Sequence, residues 1–301
     1  MADLRAAKLA ADVARAAGGG AFTPLSLEPV GGGDIHHAFR LEGRDGAGTR
    51  IVFAKINAAE RKPLFESEAD GLAALRNAGA IRVPRLVGRG ADDEESWLLL
   101  EWLDLVPLDA ASGVRLGHAL AAQHRKHLGH FGWPRDNHVG ATPQENSPSD
   151  DWHAFFRDRR LHPQLRLAAR NRLPSRMIDR GERLLADCGA FLAGHRPFAS
   201  LLHGDLWSGN AAALADGTPV VFDPAVYGGD READLAMTEL FGGFPADFAS
   251  AYREAWGLDD GYRTRRSLYN LYHLLNHANL FAGGYVRQAE DSIGRLMAEL
   301  S

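Results

Sequence analysis

The sequence predicts an α+β fold of two lobes, a small strand-rich lobe at residues 1–103 and a larger helix-rich lobe at residues 104–301. Short runs of β-branched and apolar residues dominate the first hundred positions. After Leu108 apolar residues recur mostly at helical spacing, and short strands interrupt them near His203 and Val221. With 301 residues, 45% of them hydrophobic, the chain is long enough to bury the cores of both lobes.

The bulk composition argues against several classes of function. A net charge of -5 and a pI near 6.2 give no electrostatic reason to expect binding to nucleic acid or to acidic membranes. The single cysteine, Cys188, excludes an intrachain disulfide and a cysteine-based zinc site. Residues 1–20 predict an amphipathic helix rather than a signal peptide, and no apolar run approaches the roughly 18 residues of a membrane span. We therefore expect a cytoplasmic protein.

The small lobe is expected to begin with a hairpin whose tip is Gly31, Gly32 and Gly33. A helix is predicted at 63–77, with Pro63 at its start and Gly79 just past its end. Strands are predicted at 25–30, 38–41, 50–56, 82–88 and 97–102. In the large lobe we expect a helix at 108–128, a surface loop at 129–149, helices at 150–170 and 174–194, two short strands and then mostly helix from residue 230.

The most informative segment is residues 201–210, Leu-Leu-His-Gly-Asp-Leu-Trp-Ser-Gly-Asn. His203 and Asp205 form a His-x-Asp, and Asn210 follows five residues after the aspartate, which is the spacing of a kinase catalytic loop. Asp223 ends an apolar run 18 residues after Asp205. In such a loop Asp205 would be the catalytic base, and Asn210 and Asp223 would bind Mg²⁺. The alternative is a loop whose Asp and Asn serve turn chemistry alone; the paired spacing favours a protein-kinase-like fold that uses ATP.

A kinase also requires a glycine-rich tip over the phosphates and a strand lysine held by a helix glutamate. Gly31, Gly32 and Gly33 could form that tip, although glycines at a hairpin are often only a turn. Lys55 lies in an apolar strand and needs a counter-charge or solvent. Glu68 is the preferred partner because leucines four and seven residues later place it on the buried helix face, and Glu66 is the second candidate.

Three further positions complete the expected site. Glu101 and Leu103, at the end of the last small-lobe strand, could offer adenine a carbonyl and an N–H through their backbones. Asp234 has two possible roles. It could support the catalytic loop, as His203 is also expected to do, by accepting hydrogen bonds from backbone N–H groups, or its negative charge could simply stabilise the N-terminus of its own helix through the helix dipole. Asp230 is predicted to be that helix's N-cap.

These residues resemble the fructosamine kinases, also called ketosamine kinases, a family of aminoglycoside-phosphotransferase-like enzymes. The resemblance covers roughly residues 25–295, and its most specific parts are the catalytic loop with Trp207 and the Phe-Gly-Gly-Phe-Pro segment at 241–245. It also includes Phe-Asp-Pro-Ala at 222–225, Leu-Asn-His at 275–277, Ala-Lys-Ile-Asn at 54–57 and Phe-Glu-Ser-Glu at 65–68. The chain departs from the family at His36 and His37, which follow the glycine tip and which we interpret as surface polar residues. Asp34 stands where some members have a redox-active cysteine.

The resemblance implies ATP-dependent phosphorylation, with Mg²⁺, of the sugar 3-hydroxyl of ketoamines, either free or formed on protein lysines. The product would be unstable and release the amine, so the activity would be a deglycation repair. Carried over by position, Asp205 is the base, Asn210 and Asp223 hold Mg²⁺, and Lys55 and Glu68 orient the phosphates.

The acceptor side is less defined by sequence. Trp207, Tyr227, Phe244 and His277 could line the acceptor pocket, although large aromatics more often pack in cores. Two other functions stay open. One is a small-molecule kinase of the aminoglycoside or choline type, for which we would expect an acidic cluster, and the other is a non-catalytic kinase-fold binding module.

Overall fold

The computed structural model describes residues 2–16, 19–31 and 35–300, with side chains from residue 5 onward. A five-stranded antiparallel sheet forms the small lobe, in the order β1-β2-β3-β5-β4. The bounds of its strands are β1 Thr23–Pro29, β2 His37–Asp45, β3 Gly48–Ala58, β4 Leu86–Ala91 and β5 Glu95–Glu101. Arg82 forms only an isolated bridge to Val220, so the strand predicted at 82–88 begins later than expected.

Two helices cover the small-lobe sheet. Helix α1, Ala2–Ala16, is the amphipathic helix predicted at the start, and its Leu9 and Val13 pack into a core with Leu41 and Val52 of the sheet. Helix α2, Lys62–Ala78, has Pro63 in its first turn and is followed by Gly79, whose φ of 68° makes a left-handed cap.

The large lobe is mostly helical. Its helices are α3 Ala110–His124, α4 Trp152–Phe156, α5 His162–Arg170, α6 Ser175–Asp187, α7 Arg231–Leu240, α8 Ala246–Ala255, α9 Tyr262–Phe281 and α10 Gly284–Glu299. Three two-stranded sheets join β6 Asn137–Val139 to β7 Thr142–Gln144, β8 Ser200–Leu202 to β11 Tyr227–Gly229, and β9 Ala211–Ala213 to β10 Pro219–Val221. The two lobes of this mixed α+β fold are joined by the segment between β5 and α3.

The segment at 129–149 is not the surface loop that its glycine and asparagine content predicted. It contains β6 and β7, and its Asn137, Gln144 and Asn146 are buried. Asn137 donates to the carbonyl of Val226 (2.7 Å), and Gln144 and Asn146 both donate to Asn137. The polar side chains that suggested a loop are therefore satisfied inside the lobe.

One hydrophobic core crosses the lobe boundary. It contains Phe65 and Leu72 of α2, Leu98 of β5, and Leu201 and Leu206 of the large lobe. Because α2 and the segment around His203 share buried neighbours, their relative position is set by packing. Within the described residues, no helix has both the length and the apolarity that crossing a membrane requires.

Candidate active site

The turn after β8 gives the predicted catalytic loop its shape. Gly204 has a φ of +82°, and a Cβ added there would lie 2.0 Å from the carbonyl oxygen of Ala225. The Ala225 N–H donates to the carbonyl of His203 (2.8 Å). Only glycine fits this close approach, which holds the loop against the segment that follows Asp223.

Asp234 supports the loop from helix α7. Its carboxylate accepts hydrogen bonds from the backbone N–H groups of His203 (2.7 Å) and Gly204 (2.8 Å), and it contacts His124 Nε2 at 3.1 Å. Burial would raise the pKa of Asp234, but the hydrogen bond and charge of His124 outweigh it and the pKa is lowered. Asp230 caps α7 by accepting from the Glu232 N–H. Of the two interpretations of Asp234, this geometry corresponds to support of the catalytic loop, and Asp230 is the N-cap that the sequence predicted.

His203 links the two acidic segments of the site. The ring is fully buried; its Nε2 lies 3.0 Å from the Phe222 carbonyl, and its Nδ1 accepts from the Asp205 N–H (3.3 Å). Burial lowers the pKa of His203, so the ring is neutral and holds its proton on Nε2. The ring thereby fixes Asp205 relative to Asp223.

Asp205 lies at the centre of the site, with its side chain 18% exposed. Asn210 Nδ2 donates to the Asp205 carbonyl (2.8 Å) and contacts Oδ2 at 3.4 Å. Burial, followed by the negative charge of Asp223, raises the pKa of Asp205 to about 7. A carboxylate with such a pKa is suited to accept a proton near neutral pH.

Asn210 and Asp223 form an oxygen-rich pair. Because Nδ2 of Asn210 is held by Asp205, its Oδ1 is the atom left for a ligand. The Phe222 N–H donates to the Asn210 carbonyl (3.1 Å), and Asp223, with a φ of 57°, has a side chain that is 44% exposed. An amide oxygen beside an accessible carboxylate is the donor set that Mg²⁺ prefers.

Lys55 and Glu68 form the ion pair that the helical spacing predicted. Lys55 Nζ lies 2.8 Å from Glu68 Oε1 and 2.5 Å from Asp223 Oδ1. Burial opposes the charge of the lysine, but the carboxylates of Asp223 and Glu68 raise its pKa overall. Glu66 points away and pairs with Lys62 at 3.5 Å, so the second candidate is not the partner.

Helix α2 is fastened to the large lobe beyond that ion pair. Ser67 Oγ lies 3.0 Å from His138 Nδ1, and Trp133 Nε1 donates to Asp70 (3.1 Å). At Gly71 the helix approaches the segment after Asp223 so closely that an added Cβ would lie 3.0 Å from Pro224. These contacts depend on residues far apart in sequence, and only the glycine within a helical pattern signalled a close approach.

The glycine tip is only partly described. Gly31 is exposed at the end of the first strand, whereas Gly32, Gly33 and Asp34 lie outside the described residues. His36 corrects the expectation of two surface histidines: its ring is half-buried, packs 4.6 Å from Phe65 and contacts Asn57 at 2.9 Å. Burial and then the charge of Lys55 lower the pKa of His36 to about 4. His37 is exposed, as expected.

The connecting segment has one feature that the sequence did not suggest. Glu101 uses its carboxylate to accept from Arg82 (2.6 Å) and from the Arg85 N–H (3.1 Å), and its N–H donates to the Arg85 carbonyl. Its side chain thus fixes the end of β5. The backbone roles of Glu101 and Leu103 toward adenine remain predictions.

The aromatic candidates for the acceptor side separate into two groups. Tyr227 is a correction: it is 2% exposed, and its ring stacks 6.0 Å from Phe155, so it belongs to the large-lobe core. Phe244 packs 4.9 Å from Phe248. Trp207, by contrast, is 39% exposed, and His277 is half-buried. These two flank Phe241, at 6.2 and 4.9 Å between ring centroids.

Sequence reasoning missed the rest of this aromatic cluster. Phe281 and Tyr285 both contact His277, at 5.7 and 5.0 Å between ring centroids. Gly209 lies directly beneath Trp207, because an added Cβ would be 2.3 Å from the indole ring. Helical spacing from His277 to Phe281 was the available signal.

The chain is similar to known proteins in both sequence and fold. The family model described as fructosamine kinase matches residues 6–299. A protein of Synechocystis named as a probable ketoamine kinase is 44% identical over 269 residues, 88% of each chain. Two solved structures described as fructosamine-3-kinases superpose on the chain. The one from Haemophilus somnus has a TM-score of 0.86, 29% identity and 96% coverage of both chains; the one from Thermobifida fusca has 0.82, 34%, and 96% and 98%.

Proposed function

Because the chain belongs to the fructosamine kinase family, we propose that it transfers the γ-phosphoryl group of ATP to the sugar 3-hydroxyl of ketoamines. The observation that carries this proposal is the joint presence of Asp205, Asn210, Asp223 and the Lys55–Glu68 pair in one site. A binding module without activity would have no need of the complete set.

The nucleotide side of the site neutralises and orients phosphate. Lys55, held by Glu68, presents its ammonium to the α- and β-phosphates in place of the Asp223 contact seen here. Asp223 is then free, with Oδ1 of Asn210, to hold Mg²⁺, which would neutralise charge that develops on the phosphoryl group. Gly31 to Gly33 would cover the phosphates, and the backbones of Glu101 and Leu103 would hold adenine.

Asp205 acts on the acceptor side. A hydroxyl placed at its carboxylate can give up its proton as the oxygen attacks phosphorus, and the pKa near 7 lets Asp205 receive that proton at neutral pH. Asp234 and His203 do not touch the reacting groups; they hold the loop in position.

The chemistry of the acceptor side favours a ketoamine over an aminoglycoside. Trp207, Phe241 and His277 provide flat surfaces for a sugar, whereas a polycationic aminoglycoside needs several carboxylates. The exposed edge at Trp207 and Phe281 leaves room for a ketoamine attached to a protein lysine. Release of the amine from the phosphorylated product would make the activity a deglycation repair in the cytoplasm.

The test is an ATP-consumption assay with fructosyl-, ribulosyl- and erythrulosyl-lysine beside kanamycin. We expect turnover of at least one ketoamine and none of kanamycin, with the phosphate located on the 3-hydroxyl by NMR. The Asp205→Asn protein is the blank for contaminating kinases. Phosphorylation of kanamycin without any ketoamine activity would contradict the substrate class and leave the kinase assignment standing.

A further inference from the structure

A histidine outside the phosphoryl-transfer set faces the reacting aspartate. His273, in the middle of helix α9, is 5% exposed, and its Nδ1 has no hydrogen-bond partner among the described residues. That nitrogen lies 3.9 Å from Asp205 Oδ1, which is too long for a hydrogen bond. A buried polar atom without a partner carries a free-energy cost, which a ligand in the gap would remove.

The two carboxylate oxygens of Asp205 differ in their surroundings. Oδ2 lies 3.4 Å from Asn210 Nδ2, whereas Oδ1 is the oxygen that faces His273. Burial and the neighbouring His277 lower the pKa of His273 to about 3, so the ring is neutral at physiological pH. A neutral ring can carry its proton on either nitrogen, and in the tautomer protonated on Nε2 it accepts a hydrogen bond at Nδ1. In that tautomer Oδ1 of Asp205 and Nδ1 of His273 are two hydrogen-bond acceptors side by side.

One hydroxyl group cannot satisfy both acceptors, because it has a single proton and must give that proton to Asp205. Two hydroxyls on adjacent carbon atoms can. We propose that Nδ1 of His273 accepts a hydrogen bond from the substrate hydroxyl next to the one held by Asp205, so that the enzyme recognises a vicinal diol. This inference rests on the proposed function, and in a ketoamine phosphorylated on C3 the second hydroxyl is the one on C4.

His273 would then contribute to substrate specificity. If Nδ1 instead bound only a water molecule, His273 would have no such role. Removal of the C4 hydroxyl leaves Nδ1 unpaired in the complex, and a site built to bind a hydroxyl discriminates against the analogue that lacks it. This discrimination against the 4-deoxy analogue should disappear when the side chain at position 273 can no longer accept a hydrogen bond.

The experiment compares fructosyl-lysine with its 4-deoxy analogue at saturating ATP. For the wild-type protein we expect kcat/KM to be about 10- to 100-fold lower with the deoxy substrate. In His273→Leu the kcat/KM values for the two substrates should differ by less than about threefold. The substitution should lower kcat/KM for fructosyl-lysine and leave kcat/KM for the deoxy analogue unchanged. His118→Leu, on the exposed face of α3, is the matched control and should behave as wild type.

Two amide variants test the same role of Nδ1 if the leucine variant folds poorly. In His273→Asn the introduced side-chain amide sits near the position of the lost Nδ1 and should preserve discrimination, whereas His273→Gln places its amide near the position of Nε2 and should not. Equal losses on both substrates in His273→Leu, or a wild-type protein that accepts the deoxy analogue equally well, would overturn the inference while leaving the proposed function intact. If the wild-type protein phosphorylates no ketoamine, the proposed function fails and the inference falls with it.

Discussion

Asp205 and Asp223 belong to the same site, yet their carboxyl groups have opposite surroundings. Asp223 is bonded to the Lys55 ammonium, which outweighs burial and lowers its pKa. Asp205 has a neutral amide and a neutral histidine beside it, and burial together with the charge of Asp223 raises its pKa to about 7. One lysine thus makes one carboxyl a permanent anion and leaves the other poised to take up a proton.

The difference fits the two tasks proposed for these residues. A metal ligand must stay ionised at all working pH values, whereas a general base must change its protonation during each turnover.

Replacing the base should have the largest effect. Asp205→Asn should lower kcat by about 10²- to 10⁴-fold while ATP binding and the melting temperature stay nearly unchanged, because the amide keeps the shape and loses the basicity. Steady-state kinetics, nucleotide titration and thermal unfolding measure these quantities. Asp260→Asn, at an exposed position, is the control. A variant that retains more than about a tenth of the wild-type kcat would remove Asp205 from the role of base.

Removing the negative charge of Glu68, one of the two carboxylate partners of Lys55, should have an intermediate effect on kcat/KM for ATP. In Glu68→Gln the Lys55 ammonium would bind Asp223 more tightly and compete with Mg²⁺, so kcat/KM for ATP should fall at least about tenfold, the effect of roughly 1.4 kcal/mol. Kinetics at several Mg²⁺ concentrations would show the loss partly reversed as Mg²⁺ rises.

Glu66→Gln is the matched control for that experiment, since Glu66 lies on the same helix and pairs only with Lys62. It should leave kcat/KM for ATP unchanged. Equal effects of the two variants would show that charge on α2, rather than the Lys55–Glu68 pair, governs nucleotide use.

The smallest effect concerns protonation. In the nucleotide-free and metal-free protein, Asp223→Asn should lower the pKa of Asp205 by roughly one unit, because it removes the negative charge that, after burial, raises this pKa. The sign follows because loss of a like charge favours the ionised form of Asp205. Carboxyl ¹³C NMR titration measures it, with Asp216→Asn as the control; an unchanged or higher pKa would show that burial alone sets the value.

Local spacing was sufficient to predict that Asp205, Asn210 and Asp223 lie in one site and that Lys55 pairs with Glu68, whereas the catalytic and metal-binding roles remain predictions. The five-position step from Asp205 to Asn210 and the three-to-four periodicity of α2 are properties of single segments, and each segment folded as its pattern indicates. The two-lobe fold followed from the change in periodicity after the last small-lobe strand.

Local spacing could not predict the location of side chains that is set by contacts between segments far apart in the sequence. Tyr227 was a candidate both for the acceptor pocket and for the core, and the pairing of β11 with β8 places its ring in the core. His273 gave no signal at all, because its importance arises only when α9 passes the catalytic loop. The buried amides at 137–146 resembled loop residues because composition does not reveal whether polar groups find partners inside a protein.

The attachment of helix α2 to the large lobe bears on how the activity would be controlled. Contacts of Ser67, Asp70 and Gly71 with the large lobe hold the helix in a position where Glu68 pairs with Lys55. Kinases that respond to signals often do so by moving this helix between a working and a resting position. Moving this helix would separate Trp133 and His138 from their partners Asp70 and Ser67. We therefore expect the rate of such an enzyme to depend on its concentration and on the supply of substrate rather than on movement of this helix.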